Sequence, residues 1–356
     1  MPLPEVDHAI MKAYRESSHA TELNSRARAL AGACPGSVNV DMDTLADYAG
    51  GYGFEYRTTP DPVYVNGLTR FLELFTRHQI KATLFVIARD ARVPEHAAIL
   101  KRAVSEGHEI ANHTLTHPRR LAALSDEERR HEIHEAHAVL SDLAGRPVVG
   151  FRAPCYDVCP RTLDCLRELG YRYDSSVHPS MIAPVIDAAV ILKSRFRKRE
   201  VRRGSYLQML ASLRPYYPGA KAPWRGARTT ERAGLLELPL SALPWSRVPF
   251  YGTWAQMTGM ALFRKSLAWL RRFDAPLNYH FHAVELVGLT DADLDARFRV
   301  HPGMARPVAE KLTAVDEMLG TFNSQYELMT LERLAALYQA KLAETCPRTQ
   351  GVPVPS

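Results

Sequence analysis

Short apolar segments alternate with amphipathic helical segments along most of this 356-residue chain. Residues 81–88 form a continuous apolar run of the kind found in buried parallel strands. Residues 66–79 place Leu68, Phe71 and Phe75 on one helical face. About eight such strands, separated by helices, predict a parallel α/β fold, and this number favours a barrel over an open sheet.

The barrel is expected to occupy residues 35–345 as a single domain. Residues 1–34 are polar and compatible with a helix, which predicts an N-terminal helical extension. Residues 178–232 interrupt the alternation of strands and helices and are predicted to be an insertion. A loop rich in Gly and Tyr is predicted over residues 48–62, and residues 346–356 are expected to form a flexible tail.

Composition narrows the class of protein. The apolar and charged fractions, 46% and 24%, are those of a soluble globular chain. The sequence contains no run of about 18 or more apolar residues, so no membrane span is predicted. No signal peptide is recognisable, and we therefore expect a cytoplasmic protein. The five cysteines form no CxxC pair and are expected to be reduced thiols.

The net charge of +6 is concentrated in the basic run at residues 193–203. Basic clusters attract anionic partners, but no interleaved stacking aromatics accompany this one, so no nucleic-acid partner is expected. The apolar and aromatic stretch 243–263 offers a second clue. Together the two segments suggest peripheral contact with the inner membrane face. The alternative is a solvated basic face beside an ordinary core and barrel rim.

Charged side chains follow several of the predicted strands. The carboxyl ends of barrel strands meet at one rim, where the chemistry of such folds is found. Polar groups arriving there from five strands are difficult to explain by packing alone. These residues are Asp41, Asp43, His113, His117, Arg152, Glu237, His280 and His282.

Two of them, His113 and His117, lie four residues apart at a strand end. Two imidazoles can hold a divalent metal if a third ligand arrives from elsewhere, and the carboxylate of Asp43 is the natural candidate. A two-His, one-carboxylate set leaves coordination positions open for water and substrate.

Acid–base groups accompany this predicted metal site. Asp41 is two residues from Asp43, so both side chains share one face of the strand. Asp41 can therefore accept a proton while Arg152 holds it ionised. His282 is the best candidate for an acid that protonates the leaving group. Such a set suits hydrolysis of an amide or ester.

The motifs Asp41-Met-Asp43, His113-Thr-Leu-Thr-His117, Arg152-Ala-Pro154 and Phe281-His282 occur in the order of the polysaccharide deacetylase family (NodB homology), which the chain resembles in its Asp-x-Asp variant. The resemblance implies a distorted (β/α) barrel of about seven to eight strands. It implies a metal, commonly Zn²⁺, with Co²⁺, Ni²⁺ or Fe²⁺ as alternatives. It also implies Asp41 as base, His282 as acid and Asp43, His113 and His117 as ligands.

The residues predicted to contact the substrate match the motifs of this family less closely. Cys155 stands where the family often has an aromatic residue or Gly, and its backbone N–H is expected to bind the oxyanion. Glu237, followed by Leu and Pro239, matches the fourth motif only loosely, and we expect it to orient His282 or to hold Arg152. Tyr156 and His280 complete the predicted substrate and oxyanion group.

The predicted function is metal-dependent N-deacetylation of an N-acetylated amino sugar, glycan or glycoconjugate intermediate. Deformylation or deacetylation of a lipid-phosphate-linked amino sugar at the inner membrane is one alternative. Hydrolysis of a cyclic amide, as by an allantoinase, is another. A metal-holding protein that only binds sugars remains a third, although binding alone needs neither Asp41 nor His282.

Overall fold

A computed structural model describes residues 34–181, 204–227, 234–273, 275–291 and 294–344. The predicted helical extension, the basic run 193–203 and the tail 346–356 lie outside the described residues, and the predicted insertion is described only in part. In the described ranges no helix is long and apolar enough to cross a membrane.

Eight strands form one parallel sheet that curls into an incomplete barrel. The order of neighbours is β6-β5-β4-β3-β2-β1-β7, and β8 pairs with the start of β1. The predicted distorted (β/α) barrel is therefore confirmed. The strands are β1 (Cys34–Asp41), β2 (Thr83–Val86), β3 (Glu109–Asn112), β4 (Gly150–Phe151), β5 (Tyr173–Asp174), β6 (Leu236–Glu237), β7 (Leu277–His282) and β8 (Tyr326–Leu328).

Helices cover the outside of this sheet. Helix α4 begins at a capping box between Ser125 and Glu128 and ends at Gly145 in the left-handed conformation. The α-helices of the described residues are α1 (Leu45–Tyr52), α2 (Thr69–His78), α3 (Pro94–Ser105), α4 (Asp126–Ala144), α5 (Pro160–Glu168), α6 (Gly252–Thr258), α7 (Met260–Arg272), α8 (Val308–Asn323) and α9 (Leu331–Glu344).

Helix α1 corrects the sequence prediction, which placed a loop from residue 48 onward. Two glycines in the helix argued for that loop. The helix forms because Thr44 and Asp47 make a reciprocal capping box at its start. The carboxylate of Asp61 also accepts the backbone N–H of Leu45 at 3.0 Å. This second contact joins residues that are distant in sequence, so local propensity does not reveal it.

The barrel has a seam between β6 and β7 that side chains bridge. The backbone N–H of Ser241 donates to the carbonyl of Asn278 at 3.0 Å. The amide nitrogen of Asn278 donates to the carbonyls of Leu238 and Pro239 at 2.8 and 3.1 Å. Its amide oxygen accepts a hydrogen bond from Asn39 at 2.8 Å. The Asn278 amide thus satisfies backbone groups that a strand ladder would otherwise pair.

Strand register places the chemistry at one rim. Asp41, the last residue of β1, lies directly beside His282, the last residue of β7, and beside Phe85 of β2. The chain leaves β3 at Asn112 and β4 at Phe151, which are paired with each other. The polar residues that follow these strand ends therefore converge on one place.

The apolar stretch 243–263 is divided between core and surface. Phe250 and Phe263 are fully buried against the barrel. Trp245 and Met257, in contrast, are 79% and 63% exposed. The stretch therefore contributes to the core and also leaves large apolar side chains on the surface.

Candidate metal centre and active site

The loop after β3 turns two imidazoles toward one point. Thr114 and His117 both adopt left-handed backbone conformations, with φ of 68° and 62°. The side-chain oxygen of Asn112 accepts the N–H of Thr114 at 2.7 Å. The Glu132 carboxylate, from helix α4, accepts the N–H of Leu115 at 3.0 Å and also bonds the next residue. Residues outside the His motif thus hold the loop in a strained shape.

Asp43 meets both imidazoles there. Its Oδ1 lies 3.4 Å from Nε2 of His113 and 3.4 Å from Nε2 of His117. The Nδ1 of His113 donates to the carbonyl of Arg152 at 2.7 Å, so the lone pair of the neutral ring lies on Nε2. Burial alone would lower the pKa of His113, but the Asp43 carboxylate raises it, and a metal would take the place of the proton on Nε2. A backbone partner of this kind is typical of metal-binding histidines.

The electrostatics of this cluster suit a divalent cation. Asp43 Oδ1 is buried and has no hydrogen-bond partner in the part of the chain that the structure describes. Burial alone would raise the pKa of Asp43, but the charges of His117 and His113 hold it well below its usual value. Burial lowers the pKa of His117. An ionised carboxylate and a neutral imidazole are the protonation states that a metal requires, so the residues present fit the group.

Arg152 holds Asp41 at the edge of this cluster. Its fully buried guanidinium donates to Asp41 Oδ1 and, at 3.0 Å, to the carbonyl of Ser175. It also lies 3.9 Å above the ring of Phe85. The sequence suggested this pairing of Arg152 with Asp41, and the structure brings the two together.

His282 approaches Asp41 from β7. Its Nε2 lies 4.0 Å from Asp41 Oδ2, and its Nδ1 lies 3.6 Å from Oε1 of Glu285. Sequence reasoning missed Glu285, although the His-x-x-Glu spacing at a helical turn was a usable signal. Gly252 makes room for this carboxylate, because a Cβ at that position would lie 2.1 Å from Glu285 Oε2.

Glu285 determines the protonation of His282. Burial alone would lower the pKa of His282, but the nearby carboxylate of Glu285 and the charges of Asp41 and Asp43 raise it to about 9. A raised pKa means that protonated His282 stabilises the folded, metal-free protein. This stabilisation is complete below a pH of about 6.5. It is lost as the pH rises through about 9.

We expect Glu285→Gln to lower the pKa of His282 and to move the alkaline limb of kcat/KM to lower pH by about one unit or more. A general acid acts only while protonated, so the limb reports the loss of its proton. Thr253→Val removes a hydrogen bond to Glu285 but keeps the carboxylate, and should leave the limb in place. An unchanged limb in Glu285→Gln would contradict this assignment.

His280 lies behind His282 on the same face of β7. Its Nε2 is 3.0 Å from the hydroxyl of Tyr156, and its ring stacks on Tyr251 with centroids 4.9 Å apart. Burial and the positive charges of His282 and Arg152 lower its pKa well below the usual value, so the imidazole is neutral.

Asp41, His280 and His282 form a second group whose ligand atoms lie within 4.8 Å of one another. The guanidinium of Arg152 already neutralises Asp41 in this group. A second cation there would be repelled by that guanidinium. We therefore assign the metal to Asp43, His113 and His117.

Cys155 and Tyr156 form a short left-handed turn after β4, with φ of 52° and 60°. Gln208 donates to the carbonyl of Tyr156 at 2.8 Å and fixes the turn from outside. The structure thus brings both residues to the rim, and Tyr156 reaches His280.

Glu237 lies in a separate buried pair. Its Oε1 accepts the N–H of Val177 at 3.0 Å, and its side chain contacts Asp174. Burial and the charge of Asp174 raise the pKa of Glu237 well above its usual value, while Arg152 lowers it. Glu237 thus contacts Asp174 and the backbone of Val177, and no described contact joins it to His282, as one of the two predicted roles required. Its influence on Arg152, the other predicted partner, is electrostatic.

The sequence model of the polysaccharide deacetylase family matches residues 58–173. A peptidoglycan deacetylase of Helicobacter pylori is 26% identical over 154 residues, which are 42% of this chain and 51% of that protein. A chitooligosaccharide deacetylase of Azorhizobium caulinodans is 29% identical over 187 residues, 47% of this chain and 88% of that protein. The chain is related to the polysaccharide deacetylase family.

Solved structures of polysaccharide deacetylases share the fold. The structure of a protein described as a putative polysaccharide deacetylase from Mycobacterium smegmatis superposes with a TM-score of 0.54 at 19% identity, covering 90% of this chain and 95% of that one. The structure of Puue allantoinase superposes with a TM-score of 0.55 at 16% identity, covering 90% and 94%. The same barrel therefore occurs in a deacetylase structure and in an allantoinase structure.

The relationship to polysaccharide deacetylases is partial. The chain spans 51% of the Helicobacter pylori relative and 36% of a Bacillus cereus peptidoglycan-N-acetylglucosamine deacetylase that is 31% identical over 102 residues, 29% of this chain. The family match from residue 58 to 173 contains His113, His117 and Arg152 but neither Asp43 nor His282. For these last two residues the geometry of the site is the argument.

Proposed function

We propose that this protein hydrolyses the N-acyl group, most simply acetyl, of an N-acylated amino sugar. The observation that carries the proposal is the position of the Asp41–His282 pair. It lies beside a two-His, one-carboxylate cluster at the rim of a deacetylase-like barrel. Relatives named as peptidoglycan and chitooligosaccharide deacetylases support this choice of reaction and substrate class.

Zn²⁺ is the proposed metal, held by Asp43, His113 and His117. Two imidazoles and one carboxylate are a ligand set used by catalytic zinc sites. When bound, the metal polarises the acyl oxygen and lowers the pKa of a water molecule.

The side chains of the protein then manage the protons. Asp41, ionised and held by Arg152, accepts the proton of the attacking water as the carbon–oxygen bond forms. His282 donates its proton to the amine nitrogen as the carbon–nitrogen bond breaks. The backbone N–H of Cys155 is the proposed additional donor to the negatively charged oxygen. The products are a carboxylic acid and a free amine.

The test is acetate release from N-acetylated sugars by purified protein, first stripped of metal and then reloaded with Zn²⁺. We expect turnover only in the loaded protein. His117→Ala should lose both the metal, measured by elemental analysis, and the turnover. His131→Asn, which changes an exposed histidine on α4, should lose neither. Failure of the loaded protein on every N-acyl sugar would reject the proposal.

Hydrolysis of a small cyclic amide is the second candidate, because the site is enclosed. The side chains of Asp41, His113 and His117 are 5% exposed or less, and that of Asp43 is 15% exposed. Reacting groups buried to this extent suit a small, compact substrate. Turnover of cyclic ureides without turnover of N-acetyl sugars would select this candidate.

We also propose contact with an anionic membrane surface, which would place the protein at the inner face of the membrane. The solvent face of α7 carries four cations, of which Arg264 pairs with Glu317 of α8, together with exposed apolar side chains. Trp269 and Leu262 are 39% and 43% exposed on this face. Beside its end, Trp245 packs edge-on against Phe273. Basic, aromatic helix faces of this kind bind anionic lipid headgroups.

Co-sedimentation with phosphatidylglycerol vesicles tests this contact. We expect binding that weakens with salt, is absent on phosphatidylcholine vesicles, and is lost in Lys265→Glu/Trp269→Ser. Lys101→Glu, a charge reversal at an exposed position on α3, should retain binding. Equal binding to both kinds of vesicle, or no binding, would reject the proposal.

A further inference from the structure

The hydroxyl of Tyr48, a residue in contact with His282, is a hydrogen-bond donor with no partner among the described residues. Tyr48 lies on α1, and its ring meets the rings of His282 and His301 edge-on, with centroids 6.4 and 5.0 Å away. Its Oη is buried and has no hydrogen-bond partner within the described ranges. Burying a hydroxyl without a partner is unfavourable, so its retention at this position requires an explanation.

The surroundings of this hydroxyl keep it protonated. Burial, and then the negative charges of Asp43, Glu285 and Asp41, raise the pKa of Tyr48 well above its usual value. These carboxylates belong to the metal cluster and to the acid–base pair, and the contact of the Tyr48 ring with His282 places the residue beside that pair. It offers a proton at a place where negative charge would develop on a substrate oxygen.

We propose that Tyr48 binds the acyl oxygen of the substrate, donating a hydrogen bond that strengthens as the oxygen becomes negatively charged. This inference rests on the proposed deacylation and adds a side-chain donor to the backbone N–H of Cys155. The donor is already in place before substrate arrives, because α1 is fixed at both ends. Asp61 accepts the N–H of Leu45 at its start, and Gly53 ends it.

The two readings of an unpartnered hydroxyl predict opposite effects on stability. A structural hydroxyl stabilises the fold, so its removal lowers Tm. A hydroxyl kept for substrate is a burden in the free protein, and its removal leaves Tm unchanged or raises it. Tyr48→Phe keeps the ring contacts with His282 and His301 and removes the hydroxyl alone.

The experiment compares Tyr48→Phe with Tyr64→Phe. Tyr64 is fully buried, and its Oη, like that of the partly buried Tyr48, has no partner among the described residues, but its ring stacks on His96 in the packing of α3. In Zn²⁺-loaded protein we expect Tyr48→Phe to lower kcat roughly a hundredfold, the loss typical of one oxyanion donor. KM and zinc affinity should change little, and Tyr64→Phe should match the wild type.

Binding of acetohydroxamate, a mimic of the acyl group, supplies a readout besides turnover. We expect Tyr48→Phe to bind it about tenfold more weakly, with a Tm at or above that of the wild type. Wild-type affinity and kcat within twofold, or a lower Tm with lost zinc, would overturn the role of Tyr48. A wild-type protein without turnover rejects the deacylation proposal instead, and the hydroxamate measurement then still decides whether Tyr48 binds an acyl oxygen.

Discussion

Replacing Asp41 with Asn is expected to lower kcat roughly a thousandfold, the contribution of a positioned general base, while the metal remains bound. The amide keeps the shape of the side chain but cannot accept the proton of the attacking water. The three proposed ligands are untouched, so metal content, measured by elemental analysis, should equal that of the wild type.

The chain offers a matched control for this substitution. Asp291 forms an equally buried pair with Arg70, with oxygen–nitrogen distances of 2.7 and 2.8 Å. Asp291→Asn therefore removes the same charge from the same kind of pair away from the site. It should lose stability but keep the kcat of the folded protein. Comparable kcat values for Asp41→Asn and the wild type would exclude Asp41 as the base.

Replacing Arg152 with Leu is expected to destabilise the protein by about 3–5 kcal/mol, because it leaves the buried Asp41 carboxylate without its partner. The guanidinium also donates to Ser175 and stacks on Phe85, and these contacts are lost as well. Urea unfolding of the metal-free protein measures the change.

The double variant Asp41→Leu/Arg152→Leu separates the pair from its surroundings. With both charges removed, the stranded carboxylate is gone, so the double variant should be more stable than Arg152→Leu alone. Arg152→Lys retains the positive charge but loses the planar guanidinium, and its stability should lie between that of Arg152→Leu and that of the wild type. A double variant less stable than Arg152→Leu would show that the Asp41 contact is not the main contribution.

The barrel could be predicted from the sequence because the reactive residues of a parallel barrel follow the carboxyl ends of its strands. The strand predicted within residues 81–88 is confirmed over Thr83–Val86, because a strand buried on both faces is apolar throughout. Strands β4, β5 and β6 are only two residues long. The residues on either side of these short strands form bends and bond to side chains. An apolar run in the sequence looks the same whether it forms a strand or a bend of this kind.

The proposed metal ligands were recognisable because His113 and His117 are close in sequence and Asp43 lies at a strand end. Glu285 and Tyr48 were not recognised, for a different reason. Tyr48 lies on a helix that depends on a contact with Asp61, and Glu285 acts through a turn folded against Gly252. Both depend on tertiary contacts that a single sequence does not display.

The seam at Asn278 holds the strands that carry the acid–base pair independently of much of the surrounding surface. One amide ties β7 to β1 and to the residues that directly follow β5 and β6, and the ladder between β1 and β7 places His282 beside Asp41. Exposed residues such as Trp245 and Met257 can then change while the strands keep Asp41 and His282 paired, provided that Gly252 and Thr253 keep their contacts with Glu285. We therefore expect related chains to differ in the substrates that reach the site and to share the chemistry of the acid–base pair.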